Sequence, residues 1–301
     1  MARPFKIAQV LADQVGSNRS AIGHAGHFAG HRARLTEEIC ARAPATAADA
    51  GATRRLCLLG AGNAYDVDLE RLAARFDEIH LADLDLESLQ RVRASAAPEV
   101  ARRLVLHAPV DLSGVFDELE RWAANPPEPA RFAAIVDAAV ARVVGALPGP
   151  FDVVVSCCLL TQLQLSLLQV VGDQNPRFTD LRSLVSRIHV RSLARLLAPA
   201  GRALLVSDLT SSDTYPLEDV GADPGVLRPL MEHLLSVGNV IHAAHPGLLS
   251  AEIRRQPEWS AAYQVSAPFG PWLWRNGPTM TFLVYGLEIA PRRAPSAAAA
   301  P

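Results

Sequence analysis

The chain has 301 residues, half of them apolar, enough to bury a core as one large domain or one domain with a cap. Its formal charge of −2 excludes the electrostatic footprint of a nucleic-acid-binding or anionic-membrane-binding protein. Lys6 is the only lysine, so the arginine content reads as compositional bias, not as phosphate recognition.

In chain order, "MARPFKIAQVLADQVG" holds only a short apolar stretch and no small-residue cleavage site, so no secretory signal is read there. No later apolar run approaches the ~20 residues of a membrane span, and a soluble, cytoplasmic protein is expected. Residues 1–50 read as a helical cap, with "KIAQVLADQVG" and "AIGHAGHFAGHRARLTEEICARA" as helices and "PATAADAGAT" as a loose linker. From 51 to 290 short apolar runs alternate with amphipathic stretches. Strands are expected at 55–59, 78–82, 103–107, 152–157 and 202–207. Helices are expected at 64–75, 85–96, 113–123, 130–146 and 178–197. Alternation of this kind predicts crossover units and a mostly parallel sheet covered on both faces. Further helices at 223–237 and 247–256 precede strands at 261–267 and 280–289, close enough to pair antiparallel. Residues 291–301, "PRRAPSAAAAP", read as a disordered tail. The expected fold is therefore α/β: a doubly wound, mostly parallel seven-stranded sheet with an antiparallel C-terminal strand and an N-terminal helical cap. Cys40, Cys57, Cys157 and Cys158 lack metal-site spacing and read as reduced structural thiols.

The first strand runs into "GAGNAYD". In an open parallel sheet ligands sit beyond the carboxyl ends of the strands, where strand order reverses. Gly60 and Gly62 permit a tight turn and close backbone approach, and the following helix offers free N–H groups. A dinucleotide loop would carry a third glycine near Tyr65. Asp66 and Asp68 would also repel a diphosphate, so a cationic ligand suits the loop better, although aspartate at a helix start also serves capping. Asp83 ends "EIHLAD", 21 positions after Gly62, near the spacing at which a carboxylate grips ribose hydroxyls. Asp111 follows the third strand in "VDLSG", where it can accept from an adenine amine. Helix capping competes for both acids.

Together these motifs resemble a class I S-adenosylmethionine-dependent methyltransferase over residues 54–289. The resemblance implies S-adenosylmethionine as cofactor, with "LLGAGNAYD" at its methionine end, Asp83 at its ribose and Asp111 at its adenine. It implies that "FDVVVSCCLLTQL", with Ser156, faces cofactor and acceptor, and that "LLAPAGRALLVSDL" is the helix–turn–fifth strand unit. Two departures stand out: Leu58 replaces the family's frequent acid before the first glycine, and Ala64 replaces the third glycine. Asn63, Asp66 or Asp68 takes over the missing polar role.

"GHAGHFAGHRAR" places His24, His27 and His31 at helical spacing, within about 60° of arc at ~100° per residue. As a stripe they suit a polar helix face, an acceptor-binding or proton-accepting role under the cap, or a metal site, although no Asp, Glu or Cys completes a ligand set. They are the catalytic candidates, and no metal is expected. Trp272 and Trp274 in "GPWLWRNG" read as hairpin packing. The expected activity is methyl transfer to a small-molecule acceptor such as an amino acid or secondary metabolite, with no nucleic-acid or membrane partner and a homodimer left open. An aminopropyl-type or aminocarboxypropyl-type transferase on the same fold, a NAD(P)-dependent oxidoreductase and a non-catalytic binding module remain as alternatives.

Overall fold

The computed structural model describes residues 6–44, 53–241 and 244–292. The expected linker falls largely outside these residues, as does nearly all of the expected tail. Helix α1 (Lys6–Ala21), a 3-10 helix (Ile22–Phe28) and α2 (Ala29–Arg42) come first. The alternating region follows: β1 (Arg55–Leu59), α3 (Leu69–Ala73), β2 (Glu78–Ala82), α4 (Leu86–Ser95), α5 (Pro98–Ala101) and β3 (Leu104–His107). It continues with α6 (Leu119–Ala124), α7 (Phe132–Gly145), β4 (Phe151–Cys157), α8 (Leu159–Val171), α9 (Phe178–Arg195) and β5 (Leu197–Ser211). Last come α10 (Pro224–Val237), α11 (Pro246–Arg254), α12 (Pro257–Ala262), β6 (Tyr263–Val265), β7 (Phe269–Arg275) and β8 (Thr281–Pro291).

The strands form one sheet in the order β3-β2-β1-β4-β5-β8-β6, with β7 also paired to β8. From β3 to β5 every pairing is parallel, and β8 is antiparallel to β5, β6 and β7. The central strands are apolar on both faces because helices cover both. Leu56 and Leu58 of β1 join one buried cluster, and Cys57 and Leu59 join the other, as the two-residue strand period requires. Leu204 and Val206 against Ala203 and Leu205 divide β5 in the same way.

The N-terminal helices straddle this sheet. Val10 of α1 belongs to the cluster built with α7, α8 and α9, whereas Leu35 and Ile39 of α2 lie in the opposite one. Chain order reverses between β1 and β4, since β2 and β3 extend one way and β4 and β5 the other. The crevice at a doubly wound sheet's switch point therefore opens above Leu59 and Cys157.

Three elements depart from expectation. The sheet has eight strands among the described residues, because 269–275 is paired as β7 and is more than hairpin packing. Its Trp-Leu-Trp alternation is a strand signal masked by flanking Gly, Pro and Asn. Helix α8 follows β4 without a polar break, so its apolar run merges with the strand in a reading by periodicity. The expected single helix over the histidines is broken by the 3-10 helix at Ile22–Phe28. Gly23, Gly26 and Gly30 recur there, and each weakens an α-helix by about 1 kcal/mol relative to alanine.

Candidate functional site

The loop after β1 bends back through Gly60, Gly62 and Ala64, at φ 71°, 48° and 53°. Ala64 thus adopts the left-handed backbone that the absent third glycine would favour. Gly60 N and Ala61 N donate to Ala82 O at 2.9 and 3.2 Å, stitching the loop to the end of β2. Gly62 N donates to Asp83 Oδ2 at 2.8 Å, while Asp83 Oδ1 accepts from Asp85 N at 2.9 Å. Burial pushes the Asp83 carboxyl upward, and these N–H groups oppose it by holding the charged form.

A cavity of about 270 Å³ lies above this loop. Its wall from α1 is built by Val10, Asp13, Gln14, Ser17, Asn18 and Ala21, one helical face. Among the described residues, the only charged side chains lining it are Asp13, Asp66 and Asp83. Phe28, Tyr65 and Trp274 supply aromatic walls, and Cys157 closes the β4 end. Helix α1 is latched at Asn18, whose carbonyl accepts from Asn63 Nδ2 at 2.5 Å and whose Nδ2 donates to Asp85 Oδ2 at 3.0 Å. A Cβ at Gly62 would meet Asn18 Oδ1, the far end of a flexible side chain, at 2.9 Å.

The three loop candidates separate by what they already touch. Asn63 holds Asn18 and accepts from Arg91 Nη2 at 3.2 Å. Asp68 caps α3 by accepting from Arg71 N at 3.0 Å, while its own N–H donates to Thr36 Oγ1. Asp66 has neither task. Its Oδ1 has no hydrogen-bond partner, and it faces the cavity with 18% of its side chain exposed.

Behind Asp66 stands His31, 3.5 Å from Asp66 Oδ1 through Nε2. Trp272 Nε1 donates to His31 Nδ1 at 3.0 Å, so a neutral His31 carries its proton on Nε2, turned toward Asp66. Burial pushes His31 down to about 3, which keeps it neutral. Asp66 is pushed up to about 7 by burial and by the negative charge of Asp208, against the pull of Arg32. Asp208, near the end of β5, is raised to about 6 by burial although Thr161 Oγ1 donates to it at 2.7 Å. The Trp274 ring stacks on His31 with centroids 4.9 Å apart, and its Nε1 also lacks a partner.

The remaining sequence candidates lie outside this cavity. His24 and His27 sit on the 3-10 helix with rings 6.0 Å apart, His27 exposed and His24 half-buried. The change of helix type turns them away from His31, which is buried, so the three form no common stripe. Ser156 is fully buried and bonded to His189 Nε2 at 2.8 Å, and the next residue, Cys157, reaches the cavity instead. Asp111 accepts from Ser113 N, Ser113 Oγ and Phe116 N, fixing the turn after β3. It also borders a narrow apolar slot lined by Leu84, Val115, Phe116 and Leu163. Gln14 and Ser166 line both slot and cavity.

Asp208, His31 and Trp274 escaped the sequence reading as one group because they come from β5, α2 and β7. Cys157 and Cys158 have thiols raised well above their ordinary range by burial, which suits structural thiols. Among the described residues no group of three or more His, Cys, Asp or Glu stands together as a metal site. No helix among them is long and apolar enough to cross a membrane.

No family model matches the chain, and no curated protein matches it. Among solved structures, it is similar to the YcgJ protein from Bacillus subtilis, at 13% identity and a TM-score of 0.42 over 86% of this chain and 98% of that one. A SAM-dependent methyltransferase from Methanosarcina mazei is 13% identical, with a TM-score of 0.41 over 81% of this chain and 94% of that one. The glycopeptide N-methyltransferase MtfA, complexed with (S)-adenosyl-L-methionine, is 12% identical, with a TM-score of 0.42 over 86% and 87%.

Proposed function

We propose that the chain is an S-adenosylmethionine-dependent methyltransferase acting on a small molecule. The observation that carries this reading is the cavity at the switch point, charged among the described residues by Asp13, Asp66 and Asp83 and floored by a glycine loop whose Gly62 N–H holds the buried Asp83. The acidic lining disfavours a dinucleotide diphosphate, and carboxylates along the wall suit a cationic occupant. The donor set therefore fits an adenosyl sulfonium cofactor, which supplies an activated methyl group when bound.

In this reading Asp83 holds the ribose hydroxyls, while Gly60 to Gly62 let the backbone approach the methionine end. Asp111 acts through the turn it fixes, which shapes the slot between Leu84 and Phe116 for an adenine ring. Helix α1 excludes water along one wall. Most of the catalytic contribution is then alignment, worth up to ~7–11 kcal/mol when reactants are held in register. His24 stands beside the rim, since Asn276 lines the cavity and a Cβ at neighbouring Gly277 would lie 3.9 Å from the His24 ring. That position suits acceptor entrance, not bond making.

The test is product identity. Incubation with S-adenosylmethionine and a panel of amino acids and small metabolites should release S-adenosylhomocysteine, read by mass spectrometry. Release of methylthioadenosine would assign an aminopropyl-type or aminocarboxypropyl-type transfer instead. Binding of NADPH with no binding of S-adenosylhomocysteine would reject both.

A further inference from the structure

Two buried polar atoms beside the cavity lack hydrogen-bond partners. They are Asp66 Oδ1 and Trp274 Nε1. Trp274 is 6% exposed and lines the same cavity. A third, His31 Nε2, faces Asp66 across 3.5 Å without closing a bond. Buried polar atoms normally find partners, and at this corner the Asp66 carboxylate, 18% exposed, is what borders the cavity. Asp83 follows β2, whereas Asp66 interacts with Asp208 of β5 and Cys157 of β4 and stands against His31, on which Trp274 of β7 stacks. If Asp83 marks the ribose, Asp66 marks the end where the acceptor meets the methyl group.

We propose that Asp66 is the ammonium-facing carboxylate of this site, that it takes a proton from the acceptor, and that the acceptor is an amine. The proposal rests on the methyltransferase reading above and names its substrate class. The ammonium N–H donates to the Asp66 carboxylate through the oxygen turned away from His31, the proton passes to the carboxylate, and a nitrogen lone pair is freed. That lone pair forms the N–C bond as the C–S bond breaks, with its electron pair staying on sulfur, and Asp66 then releases the proton to solvent. A protonated amine cannot attack, so the base is chemically required. His31 is a positioning residue: Trp272 fixes its tautomer, and its Nε2–H is turned toward Asp66 across 3.5 Å.

The surroundings select a cation. Phe28, Tyr65 and Trp274 offer ring faces, with Phe28 5.9 Å from Tyr65 and 5.8 Å from Trp274 between centroids. A phenolate or carboxylate acceptor would face Asp66 and Asp208 with like charge. The groups facing Asp66 are His31 and Arg32 from α2, Asp208 from β5, and Cys157 and Cys158 at the end of β4. Only Asp66 and Asp208 are placed to titrate near neutrality, at about 7 and about 6.

Sinefungin tests this without a known acceptor, because it carries an amine-bearing carbon where the cofactor carries its sulfonium methyl. S-adenosylhomocysteine carries no charge at that point. Calorimetry on the full chain at pH 8 should show sinefungin binding about ten-fold or more tightly than S-adenosylhomocysteine. Asp66→Asn should erase that preference while leaving S-adenosylhomocysteine affinity within about three-fold. In the wild type the preference should grow between pH 6 and pH 8 as Asp66 ionises, a readout that needs no variant. A preference absent from the wild type, independent of pH, or surviving Asp66→Asn overturns the proposal. Equal loss of both ligands in Asp66→Asn also overturns it, by assigning Asp66 to the shared methionine end. If S-adenosylhomocysteine does not bind the wild type at all, the cofactor reading falls and takes the proposal with it. Among acceptors, turnover of 2-phenylethylamine but not 4-ethylphenol supports the amine class, and turnover of the phenol alone overturns it.

Discussion

Asp83 illustrates how a single carboxylate can be held and still act. Each oxygen already accepts one backbone N–H, from Gly62 or Asp85, which leaves lone pairs free toward the cavity. Replacing Asp83 by Asn removes the charge and turns a donor toward one of those N–H groups. Charge-assisted bonds are worth about 1.5–3 kcal/mol, so Asp83→Asn should weaken S-adenosylhomocysteine binding at least about ten-fold by calorimetry. Unchanged affinity would refute the ribose assignment. This residue was legible in the sequence because its offset from the glycines is set by the length of one crossover unit. The choice among Asn63, Asp66 and Asp68 was not legible, because Asn18, Arg91 and Thr36 decide it from elsewhere in the chain.

Among the elements, α1 is the most consequential for the site, and Gly62 is its contact point. Gly62→Ala would place a methyl 2.9 Å from Asn18 Oδ1 at a φ of +48°, straining the backbone and pushing aside the Asn18 amide that latches the helix. The expected result is a displaced α1, seen as faster hydrogen exchange over residues 6–21 and weaker S-adenosylhomocysteine binding, while exchange in β1, β4 and β5 stays unchanged. Exchange in α1 identical to the wild type would show that the Asn18 latch does not hold the helix. Strands with both faces buried were legible from continuous apolar runs, and α4, α7 and α9 from their periodicity. Helix α8 was obscured because Leu159 and Leu160 extend the apolar run of β4 past its end. The histidine spacing misled because it presumes one helix type, whereas residues 22–28 take the tighter 3-10 turn.

At the scale of the whole molecule, buried ionisable groups set opposing trends of stability with pH. Asp66 at about 7 and Asp208 at about 6 bind protons in the folded state that the unfolded chain has released above about 4. They therefore make stability fall as pH rises from about 4 toward 7. His31 at about 3 and His189 at about 4 are neutral when folded but protonated when unfolded below about 6.5, so they make stability fall as pH drops through that window. Between pH 4.5 and 6 the two pairs oppose each other. Removing one acid in Asp66→Asn should tilt the stability difference from wild type by up to about 1.4 kcal/mol per pH unit in the variant's favour as pH rises. Urea unfolding at several pH values reads this directly, and parallel curves for the two proteins would show that Asp66 is ionised throughout. The sheet beneath these groups draws the site together across great sequence distance: Trp272 meets His31 across 241 positions, and residues 10–21 share a cavity with 274 and 276. During synthesis the walls of this cavity cannot meet until β7 has left the ribosome. A nascent or prematurely terminated chain thus presents an unfinished surface, and the capacity to take up a ligand arrives all at once, as a certificate that translation has run through β7.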